Sequence, residues 1–420
     1  MSKLADLSLS QSWRWLRRVS RILWVRVAMI SVLSLLAALS ANVLDPLIPE
    51  VSKDRFSPEA TLPVLNVLAS SMLAVATFSL GIMVSSHRTL ASQATPRIHQ
   101  LLIEDTSTQT VLATFIGAFV YALSAIILFR AGYYDENASV IVFGTTVLVV
   151  LTIVVSLLRW IGRLSRISSL DYALDRAETA ASEVLRDWAK WPAHGCHPLR
   201  RDMLEDSSDV LVHAERSGYV LRLQLADLQK QAKKDAVEVF MAVSPGDHVL
   251  EGEVLARVRG PGNPDGYVDS IVLGPNRSYE QDPRYAIQAL REGAQKALSP
   301  GVNDPGTALS IITRLHRLLW KAFSKRKETD VDHVPFDRIH IADVAAADLL
   351  TQALRDIARD GREFVEVLIA TRQSATALAR EVQDTGPETD ELLTDIDAYA
   401  LGLNLDREIE RYRQVVDDLA

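Results

Sequence analysis

The chain has 420 residues, 48 % of them hydrophobic and 23 % charged, with a net charge of −8 and one cysteine. That acidic balance argues against nucleic acid, whose phosphates demand a basic surface; the single thiol, Cys196, excludes an intrachain disulfide and suits a reducing compartment. The average hides a split, because residues 1–166 hold 14 Lys and Arg against 9 Asp and Glu, a net of +5, and the remainder carries −13.

Taken in order, the first 22 residues place Lys3, Arg14, Arg17, Arg18 and Arg21 against Asp6 alone, among Trp13 and Trp15, before an apolar run from Leu23 to Leu44. A basic, Trp-bearing leader stays on the cytoplasmic side. Ala38-Leu39-Ser40 is also readable as a signal-peptide cleavage site, but the apolar run is longer than such a peptide needs and more spans follow. An acidic loop from Asp45 to Leu62 reads as external. The second span runs from Pro63 to Ser86 with Arg88 and Arg97 behind it, and the third from Val111 to Phe129 before Asp135 and Glu136. From Val140 to Leu158 there is no charge, and then Arg159, Arg163 and Arg166 arrive beside Trp160. An uncharged run of about 20 residues crosses a hydrocarbon core, and an arginine cluster with an interfacial Trp marks its cytoplasmic mouth. Setting aside Arg26 within the first turn of span one, ten Lys and Arg thus fall inside and three outside, which predicts four transmembrane helices over 1–166 with both termini cytoplasmic.

In the second span Asn66, Ser70, Ala74, Thr77, Gly81 and Ser85 share one helix face. Such a stripe either lets another helix approach closely, its hydroxyls bonding across the contact, or lines a narrow aqueous path. Thr114, Gly117, Tyr121 and Ser124 in the third span form a shorter row and a natural partner. No span carries Asp, Glu, Lys or His away from its ends, which disfavours coupled pumping. Four helices enclose little, so a pore requires a homo-oligomer, with membrane lipid as the other partner.

Residues 167–207 read as a stalk and linker: Leu164, Ile167, Leu170, Leu174, Ala177, Ala181 and Leu185 keep helical spacing until Pro192 stops it. His194-Gly195-Cys196-His197 offers three soft ligands, but no second cluster completes a metal site. Asp330, Asp332, His333, Asp337, His340 and Asp343 are dense in carboxylates and imidazoles, yet Arg338-Ile339-His340-Ile341 alternates like a strand. Over 208–268 the period becomes two, with runs at Val210–His213, Gly218–Leu225, Val237–Val243 and Val249–Val258 between turn residues. This predicts a small β-barrel or sandwich. Pro245 to Leu255 is similar to half of a biotinyl/lipoyl-type barrel, but no hairpin lysine accompanies it, so no prosthetic arm or other cofactor is implied.

The rest, 269–420, is mostly helical, which makes the cytoplasmic part α+β. Asp282-Pro283 and Asn303-Asp304-Pro305 open two helices, Asp as N-cap and Pro as first helical residue. Capping accounts for both pairs. Arg277, Gln281, Asn303 and Thr307 add polar groups around these helix starts, and a helix N-terminus near an arginine is an anion site. From Val344 onward apolar residues recur at helical spacing, broken at Gly361 and Pro387. No Gly-x-Ser-x-Gly elbow, Walker loop, His-Glu-x-x-His or Cys-x-x-Cys is present, so nothing points to an enzyme.

The run Gly274-x-x-Arg277 … Gln281-Asp282-Pro283 … Ala297-Leu298-Ser299-Pro300-Gly301-Val302-Asn303-Asp304-Pro305-x-Thr307-Ala308 resembles the hallmark of a bacterial family of predicted membrane proteins, domain-of-unknown-function family 2254. Phe115 to Tyr121, Ser92-Gln93 and Pro96-Arg97 are similar to that family as well. The resemblance implies a bacterial inner-membrane protein with paired hairpins and a cytoplasmic domain, and no established reaction. Two functions follow as expectations: a passive, channel-like membrane oligomer controlled by its cytoplasmic domain, or a membrane-anchored sensor or scaffold that binds a ligand or partner there.

Overall fold

The computed structural model describes residues 23–40, 58–103, 106–134, 136–167, 169–200, 203, 209–260, 265–327, 334–382 and 386–419. The basic leader, most of the first loop, and Asp330, Asp332 and His333 lie outside them. The chain forms two compact units, Met1–Ala173 and Leu174–Ala420.

The first unit is helical: α1 (Leu23–Leu39), α2 (Pro58–Gln93), α3 (Pro96–Ile103), α4 (Thr106–Arg130) and α5 (Glu136–Ile167). Thr61–Leu90, Thr110–Arg130 and Ser139–Gly162 are long and apolar enough to cross a membrane, whereas Val25–Leu39 is apolar but shorter. At 1.5 Å per residue the 17 residues of α1 within the described part of the chain span about 26 Å. Helix α4 is the hub, packed on α1, α2 and α5. Its Gly117 lets α1 approach: a Cβ there would lie 2.5 Å from Ile30 Cγ2 and 3.1 Å from Ser34 Oγ. Tyr121, fully buried, donates from Oη to the Val142 carbonyl at 3.1 Å and meets Thr146 Oγ1 at 3.2 Å, so it ties α4 to α5. In the predicted row, then, Gly117 faces α1 and Tyr121 faces α5. Helix α5 ends at Ile167 and α6 (Leu170–Lys190) begins afresh, with Ser169 Oγ accepting the Tyr172 N–H at 3.1 Å as an N-cap. The predicted stalk is therefore two helices.

The second unit is α+β with two sheets: a 3-10 turn (Pro192–Gly195), β1 (Cys196–Pro198), β2 (Val210–His213), β3 (Gly218–Leu223), α7 (Leu225–Asp235), β4 (Glu238–Met241), β5 (His248–Val249), β6 (Val254–Arg259), α8 (Asp265–Val268), β7 (Ile271–Gly274), α9 (Pro283–Leu298), α10 (Pro305–Lys327), β8 (Phe336–Ile341), α11 (Ala346–Asp360), α12 (Val365–Ala379), α13 (Gly386–Leu401) and α14 (Asp406–Asp417). The strand-rich stretch 208–268 does not hold its sheets alone. A five-stranded mixed sheet runs β1-β8-β4-β6-β2 and a three-stranded one β5-β3-β7, so β1, β7 and β8 join from outside it. Residues of both sheets, among them Val212, Val220, Leu223, Val239, Val258 and Ile339, share one apolar core.

Period-two alternation puts Val239 and Ile339 into that core and their neighbours on the other face. There Phe240 pairs with His340, and His340 with His197. Phe240 and His340 stack at 4.4 Å, His340 and His197 at 5.2 Å, and the Arg259 guanidinium sits 4.2 Å from the Phe240 ring. Both His340 ring nitrogens are buried without a hydrogen bond among the described residues. Burial holds the His340 imidazole below its ordinary pKa; Glu238 opposes this, and His197 and Arg259 add to it. With the folded pKa depressed, the unfolded chain takes up the proton first as pH falls through about 6.5, so stability is lost on acidification and reaches its full deficit below the folded value. His194 and His316 shift the same way, both through burial. The Tm of the full-length protein in detergent is therefore expected to fall by a few degrees between pH 7.5 and 5.5. His340→Phe, which keeps the stack, should make that fall smaller; an unchanged pH slope would contradict this.

Candidate functional site

The predicted polar corner divides into two places. At the N-terminus of α9, Asp282 accepts the Tyr285 N–H at Oδ1, 3.0 Å, and its Oδ2 receives Arg277 Nε at 2.9 Å and Nη2 at 2.5 Å. Arg277 Nη1 donates to Gln288 at 2.9 Å, and its guanidinium lies 5.0 Å from the Tyr285 ring. The side chains are 3 % and 21 % exposed for Asp282 and Arg277. Burial pushes the Asp282 carboxyl up, while Arg277 and the Tyr285 N–H pull it down. Gln281 turns the other way and clamps β3, accepting from Leu223 N at 2.8 Å and donating to Leu223 O at 3.2 Å. Gly246, in the Pro245-Gly246-Asp247 turn, closes over the pair: a Cβ there would lie 2.1 Å from Asp282 Oδ2, and its φ is +96°. The Asp282 carboxylate thus accepts from both the helix N-terminus and the arginine.

Asn303, Asp304 and Thr307 lie past the other end of α9, whose 16 residues span about 24 Å. Asp304 caps α10, accepting the Thr307 N–H at 3.0 Å and its hydroxyl at 2.6 Å, and these bonds hold its carboxyl below the usual range. Asn303 adopts a left-handed φ of +54°, a conformation Asn tolerates better than most residues. It lines a pocket of about 610 Å³ with Ser299, Arg359, Arg362 and Phe364.

All six stripe residues of α2, Asn66, Ser70, Ala74, Thr77, Gly81 and Ser85, are exposed, while Leu65, Leu68, Met72 and Ala76 turn inward toward the α4 side. The hydroxyls bond to their own helix, Ser70 to Asn66 O at 3.0 Å and Thr77 to Ala74 O at 2.9 Å. The Asn66 amide makes no hydrogen bond to a described residue. Phe78 and Val67, 69 % and 66 % exposed, flank the stripe, so this face is outward and mostly greasy.

The Cys196 thiol is buried in β1 and pushed up to about 12 by desolvation, which makes it a poor thiolate ligand. Among the described residues no group of three His, Cys, Asp or Glu is placed to hold a metal ion. Asp337 binds Gln229 and Lys233, and Asp343 binds Arg326 and the Ala193 N–H, so that dense stretch disperses. The sequence reading missed a second cavity, of about 390 Å³, around Trp188, Trp191, His194 and Phe336. Its one sequence signal is the pair of tryptophans three residues apart at the end of an amphipathic helix.

One protein of Mycobacterium bovis and one of Mycobacterium tuberculosis, both described as uncharacterised, are each 22 % identical over 298 residues, covering 68 % of this chain and 56 % of theirs. The chain thus spans a little over half the length of these relatives. No solved structure matches. Residues 20–377 match the family described as a predicted membrane protein, domain of unknown function 2254. That match covers most of the chain and includes three helices able to cross a membrane, so the chain belongs to this family of predicted membrane proteins.

Proposed function

We propose that this is a multi-pass protein of the bacterial inner membrane, with four spans and both termini cytoplasmic. In this reading it assembles as a homo-oligomer along the α2 stripe and provides a passive, channel-like path there, under control of the cytoplasmic part. The observation that carries the reading is the outward exposure of the stripe. A row of small, weakly polar residues on the exposed face of a membrane helix suits close approach of a second copy, and Asn66, whose amide makes no hydrogen bond to a described residue, gains one across such a contact. The arginine cluster Arg159, Arg163 and Arg166 supports the orientation. In liposomes, full-length protein is expected to dissipate a monovalent-cation gradient, and Ser70→Leu/Thr77→Leu/Gly81→Leu to abolish this. Gradients left intact at every pH and potential would remove the path.

The second reading is a membrane-anchored sensor or scaffold. It is favoured by the Ser70 and Thr77 hydroxyls, which their own backbone satisfies, so that they need neither water nor a partner. Here the same triple variant should impair assembly with no flux to lose.

A further inference from the structure

The second unit holds a cavity of about 390 Å³ lined in part by Asp187, Trp188, Trp191, His194, Glu280 and Phe336. We propose that it binds a small planar organic cation, an aromatic amine or amidine, with the ring against Trp191 and Phe336 and the N–H groups turned to His194 and the carboxylates. This stands whether or not the membrane part conducts.

Four observations support it. The volume lies at the small end of the range for ligand pockets, about 300–1,000 Å³, and the walls combine aromatic surface with a few polar groups, as such sites do. The lining contains two carboxylates, Asp187 and Glu280, and no Lys or Arg; each carboxylate has an arginine outside the lining, Arg186 or Arg222, 3.6 Å away, and a ligand cation would share it. Both indoles already accept cations: Arg326 lies 4.0 Å from the Trp188 ring and Lys190 5.1 Å from the Trp191 ring. Trp191 nonetheless stays 38 % exposed, and an indole within reach of a concavity can take a cation on its ring.

The fourth observation is the backbone around His194. Ala193 and His194 both adopt left-handed φ, 45° and 55°, at about 1–3 kcal/mol each. Such a conformation persists only where its surroundings hold it. Asp343 does so, accepting the Ala193 N–H at 3.0 Å while also binding Arg326. Arg326 in turn donates to the Trp188 carbonyl at 2.7 Å, and Trp188 Nε1 to the Val344 carbonyl at 3.1 Å. His194, which the brace delivers to the cavity, makes no hydrogen bond to a described residue. Burial keeps its ring neutral, so one ring nitrogen is an acceptor ready for a ligand N–H.

The test titrates benzamidine and its uncharged analogue benzamide into full-length protein in detergent by calorimetry. Benzamidine should bind saturably with a Kd below about 1 mM and benzamide about tenfold more weakly. Trp191→Ala should weaken benzamidine about tenfold, and Asp187→Asn/Glu280→Gln, changes on the exposed rim, should erase the preference for the cation. Absence of saturable benzamidine binding to the unmodified protein overturns the proposal. Equal binding of both probes overturns its charge selectivity, and a rim double variant that retains the preference places the site elsewhere.

Discussion

Asp282→Ala is expected to destabilise the protein by about 3–5 kcal/mol, the usual cost of stripping one partner from a buried ion pair. The loss has two parts. The N-cap of α9 goes, worth about 1 kcal/mol, and the Arg277 guanidinium is left charged in a site where its side chain is 21 % exposed. Thermal unfolding of the full-length protein in detergent measures it. Two companions identify the cause. Asp282→Asn keeps the cap acceptor and should cost less. Arg277→Met combined with Asp282→Ala should also cost less than Asp282→Ala alone, because no unpaired charge remains. Gly246→Ala attacks the same knot from the facing turn: the added Cβ meets Asp282 Oδ2 at 2.1 Å and the residue must hold a φ of +96°. It should match Asp282→Ala in severity. Were Arg277 and Asp282 a ligand site rather than a brace, these changes would cost binding and spare stability.

Local chemistry explains which features could be read from residues alone. Asp282-Pro283 and Asp304-Pro305 announce α9 and α10 because an N-cap acts over three residues, and both caps form. Arg338-Ile339-His340-Ile341 announces β8 through its alternation. Its neighbours were out of reach, since β8 pairs in parallel with β4 about 100 residues earlier and with β1 still earlier, and no turn encodes such a pairing. The polar corner divides for a related reason. Arg277 and Asn303 are near in sequence, but α9 intervenes and carries them to opposite ends. In α2 the periodicity groups Asn66, Ser70, Thr77, Gly81 and Ser85 on one face. It did not say which way that face turns, because in a membrane helix both inward and outward surfaces are apolar and the usual rule of polar outside has no force. Short αL segments such as Ala193-His194 leave no periodic trace, which is why the His194 cavity emerges only from assembly of distant stretches.

Two glycines of the membrane unit should respond to the same substitution in opposite ways. At Gly117 a leucine has nowhere to go, since even its Cβ would sit 2.5 Å from Ile30 Cγ2 and 3.1 Å from Ser34 Oγ. Overpacking costs about 1–3 kcal/mol in a soluble core, and here the helix that must yield is α1, held to α4 by close approach. In lipid no hydrophobic penalty opposes its departure, so Gly117→Leu should release α1 and lower the Tm of the detergent-solubilised monomer sharply, with Gly117→Ala intermediate. At Gly81 nothing lies within 4 Å of an added Cβ, so Gly81→Leu should leave the monomer's Tm unchanged. What it should alter is the mass of the assembled species in bilayers, because Gly81 sits on the face assigned to the subunit contact. Tm and mass measured on the two variants therefore separate the seam that folds one chain from the seam proposed to join copies. A Gly81→Leu monomer that melts early would mean the α2 face is already occupied within the chain, and the assembly reading would fall with it.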